Sequence, residues 1–478
     1  MSETVDSVPN QDRDPWARRS VADRCRVVAS AAAQITENSE TLIRQCVSEQ
    51  RIDPLETIGS ELIPLCAALK YLRQKGKRIL APRPVGASGR PVWMFGVRSV
   101  VQRVPHGDVL VLGTWNYPLL LPGSQIAQGL AAGNRVLFKP APGTEPASKT
   151  LIECFHAAGV PEPQLVLLES STEAAVQALQ AGVDLVVLTG AAATGRKVLH
   201  AAADQLAASV MELSGCDAVV VLPGFDLDRL IAAIEFGMRF NGSATCIAPR
   251  RMLLRDAERE AVIGRLETLF RNQPPVKVHA SARQQVATVI ESAMDAGAKD
   301  RLGRYASAAL RSDGVLHPVL LDDVSPTNPI ASADVFAPVL SLMRIRDSED
   351  AVRLINECPY RLAASVFGAE GAARALAEQL NVGSVSINDL IATTADPRLP
   401  FGGRGDSGFG VTRGAEGLLA MTVPRVISTR RSRFAPHLRP RGEIDQEVLH
   451  GALHLWHAGG VRKKMAGLRR MMASVKKR

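Results

Sequence analysis

The hydrophobic pattern in the first part of the chain changes its period once. Across residues 16–80 apolar side chains recur at spacings of three and four, which predicts helices, with Ser20 and Ser39 as N-caps. The segment 90–105 is instead rich in β-branched and aromatic residues around Gly96. This composition predicts two strands joined at a turn, so we expect a β-hairpin after the helices.

From residue 107 onward, short apolar runs alternate with helical stretches. The runs DVLVL, RVLFK, QLVLL and DLVVL are typical of buried strands, and helical patterns of about 10–15 residues separate them. Such alternation predicts right-handed βαβ units and a parallel sheet, which binds its ligand at the carboxyl ends of the strands. Asn116, Lys139 and Gly190 fall at such ends, and we expect them to share a site.

After Glu212 the alternation starts again. Runs such as AVVVL, RRMLL, PVLSLM and AASVF predict further strands, and helices are expected at 227–240, 281–296, 348–356 and 371–380. The predicted fold class is therefore α/β, with a Rossmann-type parallel-sheet domain followed by a second α/β domain. A last strand is predicted at 421–429, after the glycine-rich and aromatic run LPFGGRGDSGFG, which is expected to be a structured loop.

Length and composition indicate a globular protein of two or three domains. A chain of 478 residues is too long for one hydrophobic core, and 46% apolar with 22% charged residues is ordinary for a soluble protein. The seven cysteines are scattered and form no CxxC pair, which argues against a disulfide framework or a metal site and for a reducing compartment. No apolar signal segment or membrane-spanning run is found, so we expect a cytoplasmic protein.

The net charge of +9 belongs to the end of the chain. Residues 430–478 contain thirteen Lys and Arg and three acids, so the rest is nearly neutral and is not expected to bind nucleic acid. In the tail 431–478, apolar residues alternate with Lys and Arg at helical spacing, with a break at Gly459-Gly460. Two interpretations stay open: peripheral contact with an anionic membrane at its inner face, or a disordered or subunit-covering extension.

Three residues on separate segments have the chemistry of acyl transfer. Cys246 lies in FNGSATCIAPRR, where small neighbours leave a thiol open to approach. Glu212 precedes a small-residue turn in MELSG, and Asn116 lies between aromatic residues in GTWNYP. A thiol nucleophile, a carboxylate base and an amide that stabilises an oxyanion are sufficient for one round of acyl chemistry.

Seven segments resemble, in order and approximate spacing, those of the NAD(P)-dependent aldehyde dehydrogenase superfamily. They are VPHGDVLVLGTWNYP, LAAGNRVLFKPA, VDLVVLTGAAATGR, MELSG, FNGSATC, VFAPVLSL and LPFGGRGDSGFG. The short N-terminus and the last of these segments are most similar to the class 3-type branch, which includes fatty and aromatic aldehyde dehydrogenases. The resemblance covers residues 16–430.

This resemblance implies a role for each of the three candidate catalytic residues. Cys246 attacks the aldehyde, and the side-chain amide of Asn116 and the backbone N–H of Cys246 stabilise the oxyanion. Loss of hydride to the nicotinamide leaves a thioester, and Glu212 activates the water that hydrolyses it. The implied reaction is oxidation of an apolar aldehyde, aliphatic or aromatic, to the carboxylate with NAD or NADP.

The resemblance also implies five cofactor-binding residues. Lys139 is similar to the lysine that binds the adenosine ribose, and Gly190 and Gly195 flank the turn beside the pyrophosphate. Asp334 stands where the family usually has a glutamate that binds the nicotinamide ribose, and Phe336 is expected to pack against the nicotinamide end.

Three positions depart from the family pattern. Ala191 replaces a small hydroxyl residue beside the phosphate, Pro142 replaces an acid that binds the ribose 2′-OH, and Asp334 is one methylene shorter than Glu. Without the acid at 142, a 2′-phosphate would no longer be repelled, so NADP is admitted as well as NAD.

By the same resemblance, we expect a homodimer whose chain has four parts. They are a cofactor-binding domain (1–89 and 106–212), a catalytic domain (213–420), oligomerisation strands (90–105 and 421–430) and the basic tail (431–478). Two alternatives to aldehyde oxidation stay open. One is a weakly active or inactive scaffold that binds a membrane or a partner, and the other passes the thioester to coenzyme A, although Glu212 favours hydrolysis.

Overall fold

The computed structural model describes residues 15–438 and 442–475. These residues form two compact units. The larger unit takes the described residues up to 81 together with 103–425, and the smaller takes 82–102 together with the described residues from 426 onward. The predicted boundaries of the cofactor-binding and catalytic domains stay a prediction.

In chain order the helices are α1 Pro15–Arg18, α2 Val21–Glu37, α3 Ser39–Cys46, α4 Pro54–Thr57, α5 Ile63–Ile79, α6 Leu120–Ala132, α7 Glu145–Ala157, α8 Thr172–Gln180, α9 Ala192–Asp204, α10 Leu227–Arg239, α11 Asp256–Asn272, α12 Arg283–Asp295, α13 Ser307–Asp313, α14 Ser348–Asn356, α15 Glu370–Ala377, α16 Gly414–Ala420, α17 Glu443–His457 and α18 Val461–Val475. A π-helical turn, Ile58–Leu62, joins α4 to α5.

The strands follow the same order: β1 Arg83–Val85, β2 Val97–Pro105, β3 Asp108–Leu112, β4 Arg135–Lys139, β5 Leu165–Leu167, β6 Leu185–Gly190, β7 Ala208–Leu213, β8 Asp217–Val221, β9 Pro249–Leu254, β10 Val276–Lys277, β11 Lys299–Asp300, β12 Val315–Leu316, β13 Val319–Asp322, β14 Val339–Arg344, β15 Tyr360–Arg361, β16 Ala363–Phe367, β17 Ser384–Ile387, β18 Arg404–Gly405, β19 Gly408–Phe409 and β20 Thr422–Arg430.

The N-terminal helices α2, α3 and α5 form as the 3.6-residue periodicity predicts. The hydroxyl of Ser20 accepts a hydrogen bond from the backbone N–H of Asp23, so its predicted N-cap role is confirmed. The prediction for Ser39 is wrong, because Ser39 is the first residue of α3 and Asn38 is the cap. A single residue separates α2 from α3, and its side chain donates back to Gln34 of α2 instead of capping α3.

The first sheet of the larger unit confirms the predicted βαβ alternation. Its strand order is β19-β7-β6-β3-β4-β5, and β3 to β7 are parallel. Helices α2, α5, α6 and α7 cover one face with a continuous apolar core, and α8 and α9 cover the other. The sequence did not predict β7 as a strand, although β7 carries Glu212.

Strand β19 comes from the far end of the chain and pairs antiparallel with β7, placing Gly408 opposite Glu212. A Cβ on Gly408 would lie 1.9 Å from the carbonyl oxygen of Met211, so only glycine permits this approach. The glycine-rich run that contains Gly408 is thus a structured loop, as predicted.

The second sheet and its helices correspond to the second α/β region that the sequence predicts after Glu212. Its order is β11-β13-β14-β9-β8-β16-β17, with all pairs parallel except β11 with β13. The predicted helices appear as α10, α12, α14 and α15, whereas α11 and α13 were not expected. Apolar cores lie on both faces of the sheet, which explains why its central strands lack polar alternation.

The predicted hairpin at 90–105 is wrong. The segment contains a 3-10 turn, Val92–Met94, and the single strand β2, whose antiparallel partners are β1 and β20. Gly96 does not form a hairpin turn. A Cβ on it would lie 2.1 Å from the side chain of Ser432, and its carbonyl accepts a hydrogen bond from the N–H of Arg431. Glycine at this position instead allows the segment that contains Ser432 to lie close to the backbone.

The described part of the tail forms two helices, α17 and α18, with the predicted break at Gly459-Gly460. They pack closely because each presents a glycine to the other. A Cβ on Gly451 or on Gly467 would lie 2.6 Å from a backbone nitrogen of the opposite helix. These residues are therefore helical and not a disordered extension. Within the described ranges, no helix is both long and apolar enough to cross a membrane.

Candidate active site

A single cavity of the larger unit, of about 540 Å³, brings together seven of the eight residues singled out from the sequence. Part of its wall is formed at the carboxyl ends of β3, β4 and β6, as expected for a parallel α/β architecture. The rest includes the turn with Cys246, residues of α12 and the loop that contains Asp334 and Phe336. The seven are Asn116, Lys139, Gly190, Glu212, Cys246, Asp334 and Phe336.

Cys246 lies in a turn before β9 and is partly exposed to the cavity. The preceding residues Asn241, Gly242 and Ser243 all have positive φ, which gives this segment a tight and unusual course. Burial, and then the carboxylates of Glu212 and Asp217, raise the pKa of the Cys246 thiol above its ordinary value. The protonated thiol therefore dominates near neutral pH, and attack on a carbonyl requires transfer of its proton to a base.

Glu212 is buried, and one of its carboxylate oxygens accepts a 2.9 Å hydrogen bond from the hydroxyl of Thr412. The other oxygen, Oε1, has no protein partner among the described residues. Burial raises the pKa of the Glu212 carboxyl, and the positive charge of Arg413 and the Thr412 hydrogen bond act against that rise. A carboxylate with one fixed oxygen, one free oxygen and a raised pKa has the properties of a general base.

Asn116 lies in the loop after β3 with its amide in a defined orientation. Its Nδ2 donates to the carbonyl oxygen of Ala244 at 2.8 Å, and its Oδ1 accepts from the hydroxyl of Thr114 at 2.7 Å. Because a carbonyl oxygen only accepts, the atom facing Ala244 must be the nitrogen. The amide therefore reaches the Cys246 segment and has a second N–H for an oxyanion.

The N-terminus of α9 forms another part of the cavity wall. Ala191 is the N-cap and makes no side-chain cap bond, so the first N–H groups of the helix lack the usual side-chain acceptor. Gly190 and Lys139 line the cavity beside it, and burial lowers the pKa of Lys139.

Gly195 is the one sequence-derived residue that the structure does not bring to the cavity wall. A Cβ at Gly195 would lie 2.8 Å from the side chain of Leu213 on β7, so this glycine permits close packing of α9 on the sheet. Thr194, one residue earlier, lines the cavity instead. Contact of Gly195 with a pyrophosphate stays a prediction.

Asp334 and Phe336 form the opposite wall. Burial raises the pKa of the Asp334 carboxyl, against a hydrogen bond from Ser214, and its Oδ1 has no partner among the described residues. An unpaired buried oxygen is costly, and a ligand hydroxyl that donates to it would remove the cost. Phe336 lies 6.0 Å from the ring of Trp115, so the two rings form an apolar border.

Sequence reasoning missed four polar residues around the site. Thr412 and Arg413 follow the glycine-rich loop, where a buried arginine after a run of small residues is a weak signal. Arg413 donates to the carbonyl of Thr394 and its guanidinium lies 4.5 Å from the ring centroid of Phe401. Arg51 and Glu61 form a buried ion pair, and no local pattern marks them. Within the described ranges, no three His, Cys, Asp or Glu side chains are grouped to hold a metal ion.

Residues 5–427 match the model of the aldehyde dehydrogenase family. Among curated relatives, 4,4'-diapolycopene aldehyde oxidase of Methylomonas sp. is 32% identical over 88% of this chain and 80% of its own length. The NADP-dependent succinate-semialdehyde dehydrogenase of Deinococcus radiodurans is 29% identical, over 86% and 87% respectively.

The solved structure of a Mycobacterium tuberculosis aldehyde dehydrogenase complexed with NAD⁺ superposes with a TM-score of 0.80 at 26% identity. The match covers 87% of each chain. The relatives therefore include proteins named with either form of the cofactor, and they come from several branches of the family.

Proposed function

The chain belongs to the aldehyde dehydrogenase family, which oxidises aldehydes with NAD or NADP, and on that premise we propose that its substrate is an apolar aldehyde, aliphatic or aromatic, and its product the carboxylate. The observation that carries the proposal is the convergence of a thiol, a buried carboxylate and an oriented amide on one cavity. The three come from different segments and are suited to act as the nucleophile, the base and the oxyanion donor that the reaction requires.

In the proposed reaction, the thiol of Cys246 loses its proton to water in the cavity, and its sulfur adds to the aldehyde carbon to give a thiohemiacetal anion. Its oxyanion accepts hydrogen bonds from Nδ2 of Asn116 and from the backbone N–H of Cys246. A bound nicotinamide would supply the hydride acceptor needed to oxidise this adduct to a thioester. Glu212, with one oxygen held by Thr412, then removes a proton from water, which attacks the thioester and releases the carboxylate and the thiol.

The residues at the other end of the cavity fit a dinucleotide. The uncapped N-terminus of α9, beside Gly190, suits a pyrophosphate, and the unpaired oxygen of Asp334 suits a ribose hydroxyl. Lys139 would bind the adenosine ribose, and Phe336 would pack at the nicotinamide end. The choice between NAD and NADP is left to measurement.

An apolar substrate is supported by the class 3-type resemblance and by the relative named for 4,4'-diapolycopene aldehyde. A second relative is named for the acidic succinate semialdehyde, so both classes belong in the test. Decanal, benzaldehyde and succinate semialdehyde should be compared with NAD and with NADP. The proposal expects the highest kcat/KM for decanal or benzaldehyde, and a clear preference for succinate semialdehyde would refute the apolar assignment.

Replacement of the nucleophile tests the reaction itself. Cys246→Ala should abolish formation of reduced cofactor with every aldehyde while leaving the thermal unfolding temperature unchanged. The matched control is Cys154→Ala, a buried thiol on α7 outside the cavity, which should retain turnover. Turnover by Cys246→Ala equal to that of the parent would remove the proposed mechanism, and absence of turnover by the parent would favour the inactive-scaffold alternative.

Transfer of the thioester to coenzyme A is the remaining enzymatic alternative. The presence of a buried carboxylate at 212 beside the thiol favours hydrolysis. With coenzyme A added to the reaction, we expect free carboxylate as the main product, and accumulation of acyl-CoA would establish the alternative.

We also propose a homodimer formed through the segments 90–105 and 421–430, which contain β2 and β20. Most of β20 is exposed, including the apolar Val426 and Ile427, which a second copy would cover. Light scattering of the full chain should give twice the mass of one chain, and Val426→Glu should reduce that mass.

Peripheral membrane contact of the tail is the second candidate function. Both helices of the tail expose large apolar side chains, among them Leu449 at 67% and Val461 at 77% exposure, and the basic residues of α18 have no acid on the same helix. Deletion of 431–478 should leave activity intact but remove co-sedimentation with anionic liposomes. Equal co-sedimentation of both forms would refute this contact and, with it, a location at the inner face of a membrane.

A further inference from the structure

A buried ion pair joins two segments of the N-terminal region. Arg51 is 3% exposed and Glu61 is 0% exposed, and Nη1 of Arg51 donates to Oε1 of Glu61. Taking both charges out of water is costly, and replacement of such a pair by apolar residues is often neutral or stabilising in other proteins. A contribution to stability therefore does not explain this ion pair, and its other hydrogen bonds indicate a different role.

The free oxygen of Glu61 binds the start of α6, just after the Asn116 loop. Oε2 of Glu61 accepts hydrogen bonds from the backbone N–H groups of Leu119 and Leu120, at 2.6 and 2.8 Å. A carboxylate at a helix N-terminus satisfies two otherwise unpaired donors and interacts favourably with the helix dipole. Glu61 itself lies in the π-helical turn 58–62, a local irregularity that often marks a functional site.

The guanidinium of Arg51 binds the backbone of the same loop and a side chain from the segment before Cys246. Nη2 donates to the carbonyl oxygen of Asn116 at 2.6 Å, and Nε donates to Oδ1 of Asn241 at 3.2 Å. Asn241 in turn donates from Nδ2 to the same Asn116 carbonyl at 2.8 Å. The guanidinium also lies 5.3 Å from the ring centroid of Tyr117, whose hydroxyl bonds to that of Thr245.

The segment before Cys246 needs such support. Asn241 and Ser243 have positive φ without being glycine, a conformation that persists only where the surroundings determine it. Asn241 is held both through Arg51 and by a hydrogen bond from its backbone N–H to Glu56.

We propose that Arg51 and Glu61 are positioning residues that set the separation between the amide of Asn116 and the thiol of Cys246. Neither side chain lines the main cavity with the reacting groups, so both act through the two segments they join. This inference deepens the proposed function and rests on it. A displacement of about 1 Å between reacting groups typically costs about 10²-fold in rate, so a small shift of either segment should be visible.

The test compares this pair with a second buried ion pair that is remote from the cavity. Arg259 on α11 and Asp322 on β13 are each 7% exposed in side chain and make the same kind of contact. Arg51→Lys and Glu61→Gln are the test variants, and Arg259→Lys and Asp322→Asn are the matched controls. All four variants should lower the thermal unfolding temperature. The loss of stability in the test variants can therefore be compared directly with that in the controls.

The decisive readout is the primary deuterium isotope effect on kcat, measured with NAD and benzaldehyde deuterated at the aldehyde carbon. Misplacement of Asn116 and Cys246 should make steps up to hydride transfer rate-limiting, so both test variants should lose about 10²-fold in kcat and show an increased isotope effect. A smaller folded fraction cannot change an isotope effect. The controls should keep the isotope effect of the parent.

Test variants with the kcat and isotope effect of the parent would overturn the inference and leave the proposed function intact. Turnover by Cys246→Ala would instead overturn the proposed function. If Arg51→Lys does not fold, Glu61→Gln decides alone, because its amide oxygen can still accept from Leu119 and Leu120.

Discussion

The two ends of the cavity differ in how their polar groups are held. At the catalytic end, the Asn116 amide and one Glu212 oxygen are hydrogen-bonded to neighbouring segments. At the cofactor end, Ala191 leaves α9 without a side-chain cap, and Asp334 Oδ1 has no partner among the described residues. The carboxylates of Glu212 and Asp334 do not differ in this way, because each has one hydrogen-bonded oxygen and one unpaired oxygen. The two ends differ in that the protein orients both polar atoms of the Asn116 amide, whereas the first N–H groups of α9 are left for a ligand to satisfy.

The largest effect that this comparison predicts is at the base. Glu212→Gln should reduce steady-state turnover by about 10²–10⁴-fold, because an amide cannot accept the proton of the attacking water. Steps before hydrolysis do not need that proton transfer, so one rapid turnover of reduced cofactor should remain in stopped-flow absorbance. Glu153→Gln on α7, with an exposed carboxylate, is the control. Steady-state turnover equal to the parent would remove Glu212 from the mechanism.

Loss of the oriented amide should have the next largest effect. Asn116→Ala should lower turnover by about 10²–10³-fold, as expected for removal of one oxyanion donor. In contrast to Glu212→Gln, it should slow the first turnover too, since the oxyanion forms before hydride leaves. A rapid first turnover in Asn116→Ala would show that the amide does not stabilise the oxyanion. Asn116 and Glu212 would then no longer differ in whether they act before or after hydride transfer.

Arg413 should influence the pH dependence. Its charge opposes the burial that raises the pKa of Glu212, so Arg413→Met should raise that pKa further. The base acts only when ionised, so the rising limb of the hydrolysis profile should move to higher pH, with lower turnover near neutral pH and recovery under alkaline conditions. Arg413→Lys should keep the profile of the parent. A Met variant with an unshifted limb would exclude this electrostatic role.

The smallest effects are expected at the cofactor end. Asp334→Glu, which extends the carboxylate by one methylene, should change the KM for NAD or NADP by a few-fold, about 1 kcal/mol or less, with kcat nearly unchanged. Steady-state kinetics with both cofactors would measure this. A tenfold fall in kcat would mean that Asp334 acts in a rate-limiting step, and the separation of the cavity into a catalytic end and a cofactor end would not hold.

The order of elements could be predicted from local patterns. Alternating apolar runs and helical stretches predicted β3 to β6 and, in the second sheet, β8, β9, β14 and β16, since the apolar period records which face of an element is buried. β7 was missed because its first half is partly exposed and because its neighbour β19 lies about two hundred residues later. The prediction of a hairpin at 90–105 was wrong for a similar reason. Gly96 leaves room for the distant side chain of Ser432 and does not form a turn within its own segment.

The sequence by itself was sufficient to predict the α/β architecture, the break between the tail helices at Gly459-Gly460, and seven of the residues that line the cavity. Only the tertiary structure decided what holds those residues. Arg51 and Glu61 carry no motif, because their contacts with Asn116, Asn241 and the start of α6 join segments between 58 and 190 residues apart. Local periodicity reports burial along one element, whereas a buried charge is explained only by the partners that folding brings to it.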